Sequence, residues 1–283
     1  MPLLIALLLS TTGFEYMMVD PVAHRVGMGS ALIGDGYSAF YNPAGLAYTI
    51  GSHYSASYLH YIAGTHFGFL GYERGQIGVA VRYFNGGTMK KTDEFGNEFG
   101  TFGVHFIDIS VARGFQYKDV GLGFGIKGVY ENIDTLYSLG VGIDVGALYI
   151  FEEPEIQVGL SVKNIGIGVK AFIDENEALP YEVSLGGVKR FPEGWFGVDL
   201  VKPALTGVGL KVGGAYAFIP QFELKASYTT LLSSLQTGSS GLDFLAGLTA
   251  GFAVHTDRVT INYTYSPYFD LGGGHRVSVH LGG

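Results

Sequence analysis

The sequence predicts an all-β protein: a transmembrane antiparallel β-barrel of about fourteen strands. Three observations lead there. The chain of 283 residues holds 45 Gly, 19 Tyr and 20 Phe, yet only 15% of it is Asp, Glu, Lys or Arg. Most of it alternates with a period of two, the signature of strands with unlike faces. The faces that are apolar carry no charge from Ile77 onward, while the faces between them are mostly Gly, Ala, Ser and Thr.

Composition excludes several classes. An average soluble domain has about 25% charged residues, so this chain lacks the charge that solvates a surface. With 47% apolar residues it is not a disordered chain. The absence of Cys removes disulfide scaffolds and cysteine metal sites. A formal charge of −8 with no basic cluster argues against a nucleic-acid partner.

At the start, residues 1–13 contain the run Leu3-Leu4-Ile5-Ala6-Leu7-Leu8-Leu9, followed by the small residues Ser10 to Gly13. It is far shorter than the roughly 20 residues of a membrane helix and reads as the remnant of a secretory signal peptide. An exported chain also works without cytosolic cofactors, and no cofactor is expected.

The expected strands follow from residue 51 to 283, at 52–62, 65–73, 76–85, 103–114, 120–131, 138–151, 156–166, 181–190, 195–202, 207–219, 222–231, 244–255, 258–267 and 275–282. In the sixth, Leu139, Val141, Ile143 and Val145 share one face, and Gly140, Gly142, Asp144 and Gly146 share the other. A soluble sandwich would turn the apolar face inward and need abundant charge outside. The second face here is too small and too sparsely charged for that. Apolar residues therefore face lipid, and the Gly, Ser and charged residues face a lumen.

Strand length suits a tilted crossing of about 9 to 11 residues. The short connections, such as those at Glu152 to Pro154 and Pro220 to Gln221, are even-numbered. The long ones, Gly86 to Thr101, Gly166 to Pro180 and Leu232 to Asp243, are odd-numbered. That is the parity of an outer-membrane barrel with both termini in the periplasm. Aromatic residues near strand ends, including Tyr83, Tyr130, Tyr149 and Tyr263, fit interfacial girdles.

Between Asp20 and Tyr48 the alternation stops. Here Arg25 precedes Gly27-Met28-Gly29; Asp35-Gly36, Ser38-Ala39 and the block Tyr41-Asn42-Pro43-Ala44-Gly45-Leu46 follow. This pattern resembles the N-terminal signature of the PorV/PorQ family and, more distantly, the outer-membrane fatty-acid transporters of FadL type. The resemblance implies that residues 14–50 form a hatch plugging the barrel. It differs from the family pattern at Gly36, where a second acid is common, and at Tyr41, where a Trp is common. On physical grounds, Pro43 pushes Asn42 out of the helical region, and Met28, Leu32, Phe40, Tyr41 and Leu46 call for burial.

On the lumen face, Arg82, Asp108, Lys127, Asp144, Lys163, Asp199 and Lys211 lie on neighbouring strands, followed by Glu223 and Lys225. Adjacent strands are about 4.8 Å apart, so opposite charges are placed to pair, fix register and hold the hatch, or else to line a polar conduit. His53 and His60 fall on opposite faces of one strand, as do His105 and Asp108. His255 and His280 read as interfacial. Ser110 and Ser161 have no base near them in sequence, and Lys90 to Glu98 lacks the spaced acids of a calcium loop. No metal site and no catalytic group is expected.

The resemblance implies a non-enzymatic outer-membrane protein, surrounded by lipid, that binds or passes hydrophobic small molecules such as long-chain fatty acids. A sideways exit would need a break in the wall, and Gly78 or the pair Gly86-Gly87 could provide one. The alternative is a docking barrel of a type IX-like secretion system that holds secreted cargo proteins at the cell surface.

Overall fold

The computed structural model describes residues 13–173, 175–235, 245–268 and 271–282. Residues 1–12 of the expected signal segment 1–13, and most of the connection Leu232 to Asp243, lie outside them. Fourteen strands are present: β1 (Ser52–His60), β2 (His66–Arg74), β3 (Ile77–Thr92), β4 (Glu98–Tyr117), β5 (Val120–Ile133), β6 (Leu136–Phe151), β7 (Ile156–Lys170), β8 (Glu182–Phe191), β9 (Gly194–Pro203), β10 (Gly209–Ile219), β11 (Phe222–Thr229), β12 (Leu248–His255), β13 (Val259–Pro267) and β14 (Gly273–Gly282). Each pairs antiparallel with its sequence neighbours, and β14 closes on β1 from Gly282↔His53 to His275↔His60. Closure leaves no sheet edge with unpaired amides, which is what lets strands cross lipid.

The period-two pattern translates directly into two faces. Along β5, Phe124 and Ile126 are exposed, while Gly121, Gly123, Gly125 and Lys127 between them are buried. Leu70, Val141, Leu160, Leu185 and Leu200 are likewise exposed, whereas Arg82, Asp108, Asp144 and Asp199 are buried inside. The outer surface is thus an apolar belt that water would solvate poorly.

One long connection differs from expectation. Residues 86–101 are mostly strand: β3 and β4 pair through Thr88↔Gly103 to Thr92↔Glu98, so only 93–97 form a loop. Beyond the belt this hairpin places single apolar residues such as Met89, Phe99 and Phe102 among Thr, Lys and Gly, so regular alternation carries no signal there.

The N-terminal segment runs inside the ring. A 3-10 turn at Glu15–Met18, a single helical turn at Ser38–Tyr41 and a 3-10 turn at Pro43–Tyr48 are its regular pieces. Asn42 caps the last of these, its side-chain oxygen accepting from Ala44 N at 3.0 Å, with Pro43 in the first position where no N–H is needed. Gly13 N donates to Ala178 O in the β7–β8 connection, so the first described residue lies at the end with the long connections. Gly282 lies beside His53 at the opposite end. Gly13 and Gly282 are therefore at opposite ends of the barrel, because residues 13–51 traverse its length.

Candidate functional site

The lumen is organised by contacts between wall side chains and the backbone of the N-terminal segment. Arg82 pairs with Asp108 (Nε to Oδ2, 2.8 Å) and its Nη1 donates to Met17 O and Val19 O. Asp199 accepts from Gly29 N at 2.8 Å and from the Ser30 hydroxyl. Lys211 donates to Gly27 O, Lys225 to His24 O, and Arg276 to Asp20 O. Lys127 meets Asp144 at 3.0 Å. Two expected pairings differ: Lys163 meets Glu182 at 3.0 Å, and Asp199 and Lys211, although directly opposite in register, bond the N-terminal segment. An extended backbone has amides and carbonyls to satisfy, and that demand outcompetes a simple charge ladder.

The signature residues lock the segment to itself and to the wall. Arg25, fully buried, forks onto Asp35 (Nε to Oδ2, 2.7 Å; Nη2 to Oδ1, 2.5 Å), reaches Gly29 O at 3.2 Å and lies 4.7 Å over the Tyr41 ring. Burial raises the Asp35 carboxyl, but the Arg25 charge and hydrogen bonds override it and hold the group below the usual carboxylate range. Asn42 Nδ2 donates to Ser30 O at 2.6 Å. Met28 packs with Leu32, Val188 and Trp195. The wall opposite this segment is glycine because nothing larger fits: a Cβ at Gly123 would overlap Pro43 and Ala44, at Gly146 Asn42, and at Gly159 Ser30; within the segment, a Cβ at Gly45 would overlap the Ser38 side chain.

Gly78 provides no break in the wall. It pairs in register with Glu73 on one side and Ala112 on the other, and it faces Leu46 and Ala39. Gly86 and Gly87 do sit at an interruption: β3–β4 pairing skips between Asn85 and Thr88, and β2–β3 pairing ends at Asn85. Gly87 has φ +82° and donates to Asn85 Oδ1 at 2.8 Å.

Two cavities open toward the long connections. One, of about 300 Å³, is bordered by Val22, Val26, Tyr228, Leu231, Tyr268 and Arg276. A wider one of about 710 Å³ lies at the mouth, against Phe14, Tyr16, Phe67, Phe84, Phe106 and Phe172; Val19 and Tyr61 border both. Phe67, Phe84 and Phe106 are directly opposite one another on β2, β3 and β4, with ring centroids 4.8 and 5.2 Å apart, and Tyr16 leans on Phe106 at 5.2 Å. The interrupted ladder at Gly86 and Gly87 immediately follows Phe84 on β3.

Sequence patterning missed several residues. Glu73, buried, accepts from Ser38 N and Ala39 N; its place two residues from Gly71 on the inward phase of β2 was the available signal. The Phe67, Phe84 and Phe106 row is hidden in the sequence because its members lie on three strands and align only through register. His280 faces the lumen rather than the interface, stacked on His53 at 5.3 Å. Among the described residues no group of three metal-ligating side chains is found.

No family model matches the chain, and no curated protein matches it. Solved structures do. The CymD monoaromatic hydrocarbon channel superposes with a TM-score of 0.60 at 13% identity, covering 94% of this chain and 97% of that one. The TodX monoaromatic hydrocarbon channel, in a deltaS2 mutant, gives 0.59 at 11% identity, covering 90% and 94%. A Pseudomonas aeruginosa FadL homologue gives 0.51 at 12% identity, covering 96% and 97%. At these identities the likeness is one of fold.

Proposed function

We propose that this chain is a non-enzymatic outer-membrane channel of FadL type, which takes small, neutral, apolar molecules into the aromatic mouth and releases them sideways through the wall at Gly86 and Gly87. The observation that carries the reading is that the mouth cavity is bordered by Phe84 and Phe106, beside the interruption of the β3–β4 ladder that begins after Asn85. The hydrocarbon channels of the same fold support it.

The cavity chemistry favours a neutral solute over a long-chain fatty acid. Of the cations bordering the inner cavity, Arg276 is committed to Asp20 O, Ser266 and Tyr268, and Lys211 donates to Gly27 O. Asp20 and Glu182 border it too and would repel a carboxylate. The motif from Arg25 to Leu46 supports a hatch function for residues 14–50, since Arg82, Asp199, Lys211, Lys225 and Arg276 of the wall all fasten that segment across the lumen. Docking of a secreted cargo is the weaker reading, because the hairpin tip is reduced to 93–97.

Uptake tests this. In a host lacking its own hydrophobic-solute channels, cells making the protein should accumulate radiolabelled toluene faster than empty-vector cells and show no gain for oleate. Equal toluene uptake in the two strains overturns the channel reading; a gain for oleate alone overturns the solute class.

A further inference from the structure

A row of residues in direct register crosses the outside of seven consecutive strands near the long-connection end. From β5 through β1 to β13 it reads Asn132, His105, Asn85, His66, His60, His275 and Tyr265. Four of the eight histidines in the chain are on it. Two residues nearer the belt, a second row on the same strands includes Tyr130, Tyr83, Tyr58 and Tyr263. Aromatic residues of this kind mark the level where hydrocarbon gives way to headgroups, so the imidazoles sit one step further out, among the headgroups.

The two rows are tied together. Tyr83 Oη meets His105 Nδ1 at 2.6 Å, Tyr58 meets His66 Nδ1 at 2.7 Å, and Tyr263 meets His275 Nδ1 at 2.8 Å. Each bond fixes one ring nitrogen and leaves Nε2 to the surroundings. His60 lies between two others, with centroids 5.0 Å from His66 and 6.5 Å from His275. No Asp, Glu, Lys or Arg occurs in either row. Beyond the row Lys91 and Asp134 pair with each other at 2.5 Å, and the charged neighbours in sequence, Glu131 and Arg276, are buried on the lumen face.

We propose that this face binds the phosphate groups of neighbouring lipids, and that it binds them more strongly in acid. Imidazole is the side chain whose charge changes between pH 5 and 8. Neutral, it tolerates contact with lipid; protonated, it offers N–H donors and positive charge to a phosphate. His60, His66 and His275 lie on adjacent strands, so three imidazoles stand side by side on this face of a chain whose net charge is −8. The proposal rests on the reading that the apolar belt faces lipid, and the test separates the two.

The full chain is reconstituted in phosphatidylcholine vesicles, and its preference for spin-labelled phosphatidylglycerol over spin-labelled phosphatidylcholine is measured at pH 8 and pH 5.5. Phosphatidylglycerol keeps its charge over that range. The preference should rise about fivefold in acid, the gain of one cation facing an anionic surface, and the rise should vanish in the H60Q/H66Q/H275Q variant. That variant keeps its lumen face, and a heat-modifiable gel shift reports whether it folds. A preference independent of pH, or an acid rise that persists in the folded variant, overturns the proposal. Absence of any motionally restricted lipid around the wild-type chain would instead overturn the reading of the belt.

Discussion

At the end of the barrel with the short turns, the N-terminal segment is held by the Arg25–Asp35 fork, by Asn42 and by glycines that admit its backbone against the wall. At the other end the same segment presents Phe14, Tyr16 and Met17 to Phe67, Val129 and Leu179, with Phe84 and Phe106 packed alongside. The first arrangement is specific and leaves no room. The second is apolar contact, which is non-directional, and beside it lie the two cavities. Under the proposed function, the contrast makes the short-turn half the barrier and the long-connection half the receiving site. A solute reaching the mouth cavity meets the packed segment below and lies beside Phe84, next to the Gly86-Gly87 notch on β3.

The largest expected effect breaks the barrier. Arg25→Met leaves the Asp35 carboxylate buried without its partner, a change that typically costs about 3–5 kcal/mol. Single-channel conductance in planar bilayers should rise as the segment loosens, and the double variant R25M/D35L should recover part of the lost thermal stability. A conductance equal to wild type would mean that the fork does not hold the segment.

Gly123→Val attacks the same half from the wall. The new side chain would collide with Pro43 and Ala44, and overpacking of this kind costs about 1–3 kcal/mol. On the opposite face of the same strand, Gly128 has nothing within 4 Å of an added Cβ, and Gly128→Ala should leave the melting temperature unchanged. Similar losses from the two would contradict the close approach.

These glycines show how far the sequence was legible. Period two located all fourteen strands because a wall between lipid and lumen imposes the contrast at every second residue; it also placed Arg82 beside Asp108 and Lys127 beside Asp144. The signature from Arg25 to Leu46 pointed to a buried segment. What sequence did not reveal depends on register between strands. The Phe67, Phe84 and Phe106 row comes from three strands and appears only once they are aligned, and so does the meeting of His53 with His280. Glu73 was overlooked because its partners are backbone amides of a segment without periodicity.

A smaller effect tests the receiving half. Phe84→Ala removes the middle ring of the row, and aromatic contacts contribute about 0.5–1.5 kcal/mol beyond area burial. Toluene uptake should fall by up to about tenfold, while conductance stays at the wild-type level. Raised conductance in this variant would mean that the two halves are not separate.

The smallest effect concerns acid, and it distinguishes two titrating groups on the N-terminal segment. Asp35 is held below the usual carboxylate range, so its stabilisation is complete above about pH 4 and is lost only as pH falls further. It contributes no slope between pH 7 and pH 5. His24 is half-buried, stacked on Tyr37 at 5.4 Å, with Nε2 3.5 Å from Asp35 and Nδ1 enclosed and unpartnered. Burial first, then the Lys225 charge, pushes it well below the usual imidazole range, against the pull of Asp35; His280 and Arg25 add to the depression. With the folded value depressed, the unfolded chain takes up the proton first as pH drops below about 6.5, so stability present at pH 7 declines toward pH 5, by at most about 1.4 kcal/mol per pH unit. His24→Phe retains a ring against Tyr37 and has no proton to bind. The difference in melting temperature between the variant and wild type should therefore change between pH 7 and pH 5, in favour of the variant in acid. A difference that stays constant across that range would show that the imidazole at His24 gains its proton as easily inside the barrel as outside it.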